Sequence, residues 1–334
     1  MPRSYVTPWT LRFYRTLPGS PMWIGISFAA ILLLVFLGCR FLFDGGIRSS
    51  PGDFRLTIIH ILLVAYSASA YVYLLSAATR AATDLAPVIN HEPQWQTIID
   101  RVGTHLWWGL ACAGCLGILV DVYATVNTTQ DSDPWVWQQT SFDARWMRVL
   151  GVLFCWWMGC FLYVLVVESM RLSQLAESIG SIDLLDLSPY QPLINQGLTN
   201  ALLVVGAASF LSLFLLEPGF VVLMIQISIV YAIFAWIGLM LPLHGIRSKI
   251  RAAKEEEFAW CQQELKVART RLKSGVGEAQ SIAEMIAYRS IVENIRNWPF
   301  DSPSLTRFLL YLLIPICSMI GGALVERGLD FFFP

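Results

Sequence analysis

Charge is what this chain has least of. Of its 334 residues 14% are Asp, Glu, Lys or Arg, while 56% are hydrophobic and the mean hydropathy is +0.57. A soluble domain carries about 25% charge because its surface must be wetted. A water-soluble globule is therefore excluded, and the lipid bilayer becomes the expected first partner. The net charge of −1 leaves no electrostatic footprint for nucleic acid, and 13% aromatic residues exclude a disordered chain. Catalytic signatures are missing too. There is no HExxH, no GxxxxGK[ST] and no nucleophile elbow with an ordered triad, which removes zinc proteolysis, nucleotide hydrolysis and α/β-hydrolase chemistry. No carboxylate sits mid-span and no apolar run repeats arginine, so a proton-coupled pump and a voltage sensor each lack their main part. The expectation is a protein that is not an enzyme and has no cofactor or metal site.

What is present is a series of apolar runs. A helix needs roughly 20 residues to cross the hydrocarbon with every backbone polar group bonded internally. Seven stretches reach or approach that length: 22–43, 56–78, 106–126, 149–167, 201–216, 220–243 and 308–325. The fifth is short but 193–198 can extend it, and Glu217-Pro218-Gly219 turns it into the sixth. The predicted fold is all-α: a polytopic transmembrane helix bundle of about seven spans, with a cytoplasmic helical hairpin before the last. Its divisions are an N-terminal cytoplasmic segment 1–21, a six-span bundle 22–243, the hairpin 244–305, and a Pro-kinked last span with a short outer tail 306–334.

Lys and Arg beside the spans set the orientation. Arg3, Arg12, Arg15, Arg80, Arg101, Arg171 and the basic segment from Arg247 to Arg307 fall on one side, against Arg40, Arg48, Arg55, Arg145, Arg148 and Arg327 on the other. That reads as a membrane protein with its N-terminus cytoplasmic and its C-terminus outside. The first apolar run is followed by no small-residue cleavage pattern and is expected to persist as an anchor.

Between the spans, segment 244–305 alone has a soluble-protein composition. Phe258, Cys261, Leu265, Ala268 and Leu272 recur at alternating spacings of three and four, an a/d seam of coiled-coil type. Ser274-Gly275-Val276-Gly277 breaks the pattern, and Ile282, Met285, Ile286, Ile291, Val292 and Ile295 resume it. The two arms can pack on each other or dock a cytoplasmic protein partner. Trp95, Ile98, Ile99 and Val102 make a short amphipathic piece suited to the inner interface. Asp183 and Asp186 read as caps and turn acceptors in their loop, not as cation ligands.

An ionisable residue inside a span is a functional hypothesis by default. Arg40, Asp121 and Glu168 lie near span ends, within reach of the interface. His60 lies about one turn inside the second span and Gln226 about two turns inside the sixth. His60, Gln226, Ser228 and Asp121 form the candidate polar membrane site, with helix-to-helix hydrogen bonds as the simpler use of the same groups. Cys112 and Cys115 make a CxxC, but no second ligand pair accompanies it and packing is the better reading. Gly109, Ala113 and Gly117, and likewise Gly151, Cys155 and Gly159, form small-residue stripes that allow close helix contact within a bundle or a homo-oligomer. Pro315, Gly321 and Gly322 mark a candidate hinge in the last span.

The stretches 182–203 (IDLLDLSPYQPLINQGLTNALL), 241–250 (LPLHGIRSKI) and 297–315 (NWPFDSPSLTRFLLYLLIP) resemble a family of bacterial multi-span membrane proteins without an assigned activity. The resemblance covers the C-terminal half best, implies the bacterial inner membrane as the location, and implies no catalytic residues. In layout alone the chain is similar to ion channels of the insect chemoreceptor type, which argues little about function. The leading functional expectation is a non-enzymatic membrane sensor or scaffold acting through the cytoplasmic hairpin. The alternatives are an oligomeric ion channel gated by the last span and a small-solute transporter.

Overall fold

The computed structural model describes residues 5–6, 8, 12–13, 16–17, 19–43, 51–89, 93–128, 141–179, 184, 186, 188–216, 221–274 and 279–295, with isolated positions at 306, 310, 311, 313 and 315. Eight α-helices dominate these residues: α1 (Pro21–Phe43), α2 (Pro51–Leu85), α3 (Pro93–Arg101), α4 (Trp107–Thr128), α5 (Phe142–Glu177), α6 (Gln191–Leu211), α7 (Val221–Lys273) and α8 (Ala279–Asn294). Two short strands, β1 (Tyr5–Val6) and β2 (His105–Leu106), pair antiparallel, with Val6 opposite His105. Several helix starts are written in the sequence. Proline opens α1, α2 and α3 and stands in the first turn of α6, where its missing N–H is not needed. Ser141 caps α5, its hydroxyl accepting the Ala144 N–H at 3.2 Å.

Among the described residues, six helices are long and apolar enough to cross a membrane, which fits a multi-pass membrane protein. They are α1, α2, α4, α5, α6 with its preceding turn, and α7. The exterior of α1, α4 and the first half of α7 is apolar, with Leu34, Leu42, Leu116, Leu119, Ile225 and Ile233 exposed. In water such a surface would aggregate; against acyl chains it costs nothing. The seventh expected span lies almost wholly outside the described residues, including Gly321 and Gly322. Pro315 is described and helical, and its carbonyl lies 3.4 Å from the Ser212 hydroxyl after α6.

The centre is α2, packed by α1, α5 and α6, with α5 in turn packed by α4 and α7. Lipid offers no hydrophobic drive between helices, so close packing must hold them. The small-residue stripes meet each other for this purpose. Gly117 lies against the Cys155 carbonyl, and Gly159 against the Ala113 carbonyl and the Gly117 Cα. A Cβ at either glycine would enter the opposing backbone, so α4 and α5 touch main chain to main chain. The stripes therefore serve contacts inside one chain.

At the end of the bundle where α5 begins, Phe36 packs with Phe54, Phe142 and Trp146, and Arg40 lies 4.6 Å over the Phe54 ring and 3.6 Å from Asp143. This is the distal end. At the arm end, Ala78, Leu85, Leu172, Leu193, Leu243 and Ile250 join helices α2, α5, α6 and α7 in a second core.

One helix runs across the expected boundary at residue 243. The sixth apolar run and the first polar arm are one helix, Val221–Lys273, spanning 53 residues and about 80 Å at 1.5 Å per residue. Pro242 lies inside it. Beyond the bundle, α8 runs back along α7: Lys254 Nζ donates to the Glu293 and Ile295 carbonyls at 2.9 and 2.7 Å, and the Tyr288 hydroxyl donates to Glu257 at 2.6 Å. Cys261 and Val292 are the buried residues of this contact, while Leu272, Ile286 and Ile291 from the expected apolar patterns are exposed.

Replacing Gly159 with Leu forces α4 and α5 apart and is expected to cost about 3 kcal/mol. Thermal unfolding in detergent should show a lowered Tm, whereas the same change at Gly38, which has nothing within 4 Å of a built Cβ, should be tolerated.

Candidate functional site

A helix interior with proline loses one hydrogen bond, because the N–H that would reach back four residues is absent. For Pro242 the abandoned acceptor is the Gly238 carbonyl. In apolar surroundings that oxygen needs a donor, and Asn200 on α6 supplies one: its Nδ2 lies 3.2 Å from the Gly238 carbonyl and 3.0 Å from the Ser169 hydroxyl on α5. Gln196, one turn earlier on α6, donates to Asn200 Oδ1 at 2.8 Å and fixes the amide's orientation. Farther along α7, Gly245 packs against the Ser173 carbonyl, and its N–H donates to the Ser173 hydroxyl at 3.0 Å. Gln196, Asn200, Ser169 and Ser173 are all buried. Pro242 thus sits where α5 and α6 reach α7 through polar side chains.

Glu168, adjacent to Ser169 in α5, serves the loop on the other side. Its Oε1 accepts the Gly103 N–H at 3.0 Å and the Arg171 Nη1 at 2.7 Å, and His105 Nε2 lies 2.9 Å away. The His105 nitrogen makes no aligned hydrogen bond there, so this contact is one of proximity. Arg171 Nη1 also donates to the Arg101 and Thr104 carbonyls at 2.7 and 2.9 Å. Gly103 has φ +81°, a left-handed turn that ends α3 and presents its N–H to the carboxylate. Glu168 Oε2 and His105 Nδ1 are buried and have no hydrogen-bond partner among the described residues. The Tyr163 ring packs edge-on to His105, with centroids 6.1 Å apart. Since His105 lies opposite Val6, the N-terminal strand is laid across this cluster.

Glu168 therefore departs from the expectation that it would reach the interface: its side chain is 1% exposed. Arg171 at i+3 and the Gly103 N–H make burial tolerable by pairing the charge. Asn200, Gln196, Ser169, Ser173 and Pro242 did not stand out by residue type. The available signal was Gln196 and Asn200 at i,i+4 inside an apolar run, a spacing that puts two amides on one helix face.

The candidate polar site is divided. His60 and Asp121 come together at the distal end, where a Cβ built on Gly151 would meet Asp121 Oδ1 at 2.7 Å and His60 Nε2 at 3.7 Å. Gln226 and Ser228 lie elsewhere. The buried stripe of α7 at that level is Leu223, Met224 and Tyr231, and both polar residues are exposed on another face. Cys112 and Cys115 are exposed free thiols, and among the described residues no group of three or more His, Cys, Asp or Glu could hold a metal ion. Asp186 accepts the Ser188 N–H at 3.0 Å, and bonds from the Ser188 side chain and backbone hold its exposed carboxyl below the usual carboxylate range. Asp183 lies outside the described residues. Comparison with protein-family models, curated proteins and solved structures finds no match for this chain.

Removing the carboxylate charge while the partly buried Arg171 stays in place leaves that cation without its carboxylate. Glu168→Leu is expected to destabilise the protein by roughly 3–5 kcal/mol, and the double change with Arg171→Leu to recover most of that loss. Thermal unfolding of the two variants measures the difference, and exchange of the Gly103 amide should quicken in both.

Proposed function

We propose that this protein is a non-enzymatic sensor or scaffold of the bacterial inner membrane that acts through a cytoplasmic helical hairpin made by the arm of α7 and α8. In this reading the chain crosses the membrane seven times, with the N-terminus inside and the C-terminus outside, and works alone or as a homo-oligomer. The observation that carries the proposal is the continuity of α7, whose apolar half packs in the bundle and whose polar half is the arm. A rigid element that lies in both regions passes a shift in one to the other, provided that its proline break is held. The Asn200 and Ser173 contacts are placed to hold it.

The loop cluster adds a second point of control. Glu168 and Ser169 are neighbours on α5, so a change in the Glu168, His105 and Arg171 contacts acts one residue from the group that braces α7. Arg171, Gln196 and Asn200 at the arm end are spent on backbone carbonyls and on neighbouring side chains. A partner of the arm meets a surface with Trp260, Ile286 and Ile291 exposed among charged residues.

The test is a chain in which 252–295 is replaced by a short flexible linker, leaving the bundle contacts of Ile246 and Ile250 in place. Crosslinking in cells from exposed arm positions of the full chain should capture a defined partner, and the shortened chain should lose it while still reaching the membrane. Equal capture by both chains would overturn the proposal.

A further inference from the structure

We infer that His60 and Asp121 together hold one proton within the distal half of the bundle, a site that is independent of the signalling reading above. His60 Nδ1 lies 2.8 Å from the Leu56 carbonyl of its own helix. A carbonyl only accepts, so Nδ1 carries the hydrogen, and in the neutral ring Nε2 presents a lone pair. The Phe214 ring, edge-on with centroids 5.1 Å apart, holds the imidazole in that orientation. Nε2 and Asp121 Oδ1 border the same small space over Gly151, at 3.7 and 2.7 Å from a Cβ built there. Two acceptors thus face one space. Among the described residues, the Cys155 thiol stands beside them as a weak donor, 3.9 Å from Asp121 Oδ1.

An ionised carboxylate among apolar helices calls for one compensating positive charge. A hard metal cation would require six or more oxygen ligands, whereas this space offers one carboxylate, one imidazole nitrogen and a thiol. A proton meets the need with these groups alone. It resides on Asp121, donated toward Nε2, or on Nε2, donated toward Oδ1, directly or across a single water. Other titratable and charged groups lie near the site. From α7, Tyr231 is buried within electrostatic reach of Cys155. From α2, the Tyr66 hydroxyl is committed to the Leu203 carbonyl at 2.7 Å. Arg148 stands one turn before Gly151 on α5, and Asp143 is matched with Arg40 at 3.6 Å. Loss of the proton leaves two opposed acceptors and a net negative charge where α2, α4 and α5 meet. The distal end therefore changes state with the pH of the side it faces.

The full chain in lipid nanodiscs is followed by infrared difference spectroscopy between acid and alkaline pH, with Asp121→Asn identifying the band of the protonated carboxyl. The expected result is one titrating carboxyl at Asp121. His60→Gln should shift its midpoint to lower pH by about one unit, a tenfold loss of proton affinity. Gly151→Ala, which puts a methyl group in the shared space, should produce a shift in the same direction, and both variants retain Asp121 should Asp121→Asn fail to fold. An unchanged midpoint in His60→Gln would overturn the inference. So would a band that responds to sodium concentration at fixed pH.

Discussion

Everything at the arm end depends on one missing hydrogen. Pro242 cannot donate to the Gly238 carbonyl, and within a bilayer no water stands ready to replace it. The Asn200 side chain makes the replacement and reaches Ser169 with its other hydrogen. An unsatisfied buried carbonyl costs about 1–3 kcal/mol, enough to turn a continuous helix into a jointed one. Because α5 and α6 supply the repair, the continuity of α7 is a property of the bundle and not of α7 alone. The arm inherits its direction from three helices.

The same segment of α5 meets a second demand, that of a buried charge. Glu168 is shielded from lipid by the loop it organises, and the Gly103 turn, Arg171 and His105 converge on a single carboxylate oxygen. Such a cluster gives little net stability relative to apolar residues of similar size, but it is intolerant of losing one member. Its value lies in specifying one arrangement of α3, the loop and the N-terminal strand. Around these polar points the bundle is joined by shape. At Gly117 and Gly159 the backbones of α4 and α5 meet, where an ordinary side chain would separate them.

Much of the architecture was legible because lipid imposes a simple rule on length and polarity. The first four apolar runs, the amphipathic turn at Trp95 and Ile98, and the small-residue stripes themselves follow from spacing, whereas only the fold shows that the two stripes meet each other. The continuation of α7 through residue 243 was not legible, since a proline at the end of an apolar run reads as a stop unless its repair partner is known. Asn200 lies 42 residues before Pro242 in the chain, and only packing brings them together. The polar site was half legible for the same reason. His60 and Asp121 share a space that depends on a glycine in a third helix, whereas Gln226 and Ser228 fall off the buried stripe of α7 by a fraction of a turn. Residue type flags a polar group in a span, and its azimuth decides whether it meets a partner.

The central claim is that α7 is a single lever braced across Pro242 by α5 and α6. Amide hydrogen exchange over residues 236–254 in lipid nanodiscs, compared between the wild-type chain and Asn200→Ala, tests it most directly. Slow exchange through the whole stretch in the wild type, with acceleration around 242–248 in the variant, is the predicted result. Fast exchange at 242–248 in the wild type, or an identical profile in the variant, would contradict it.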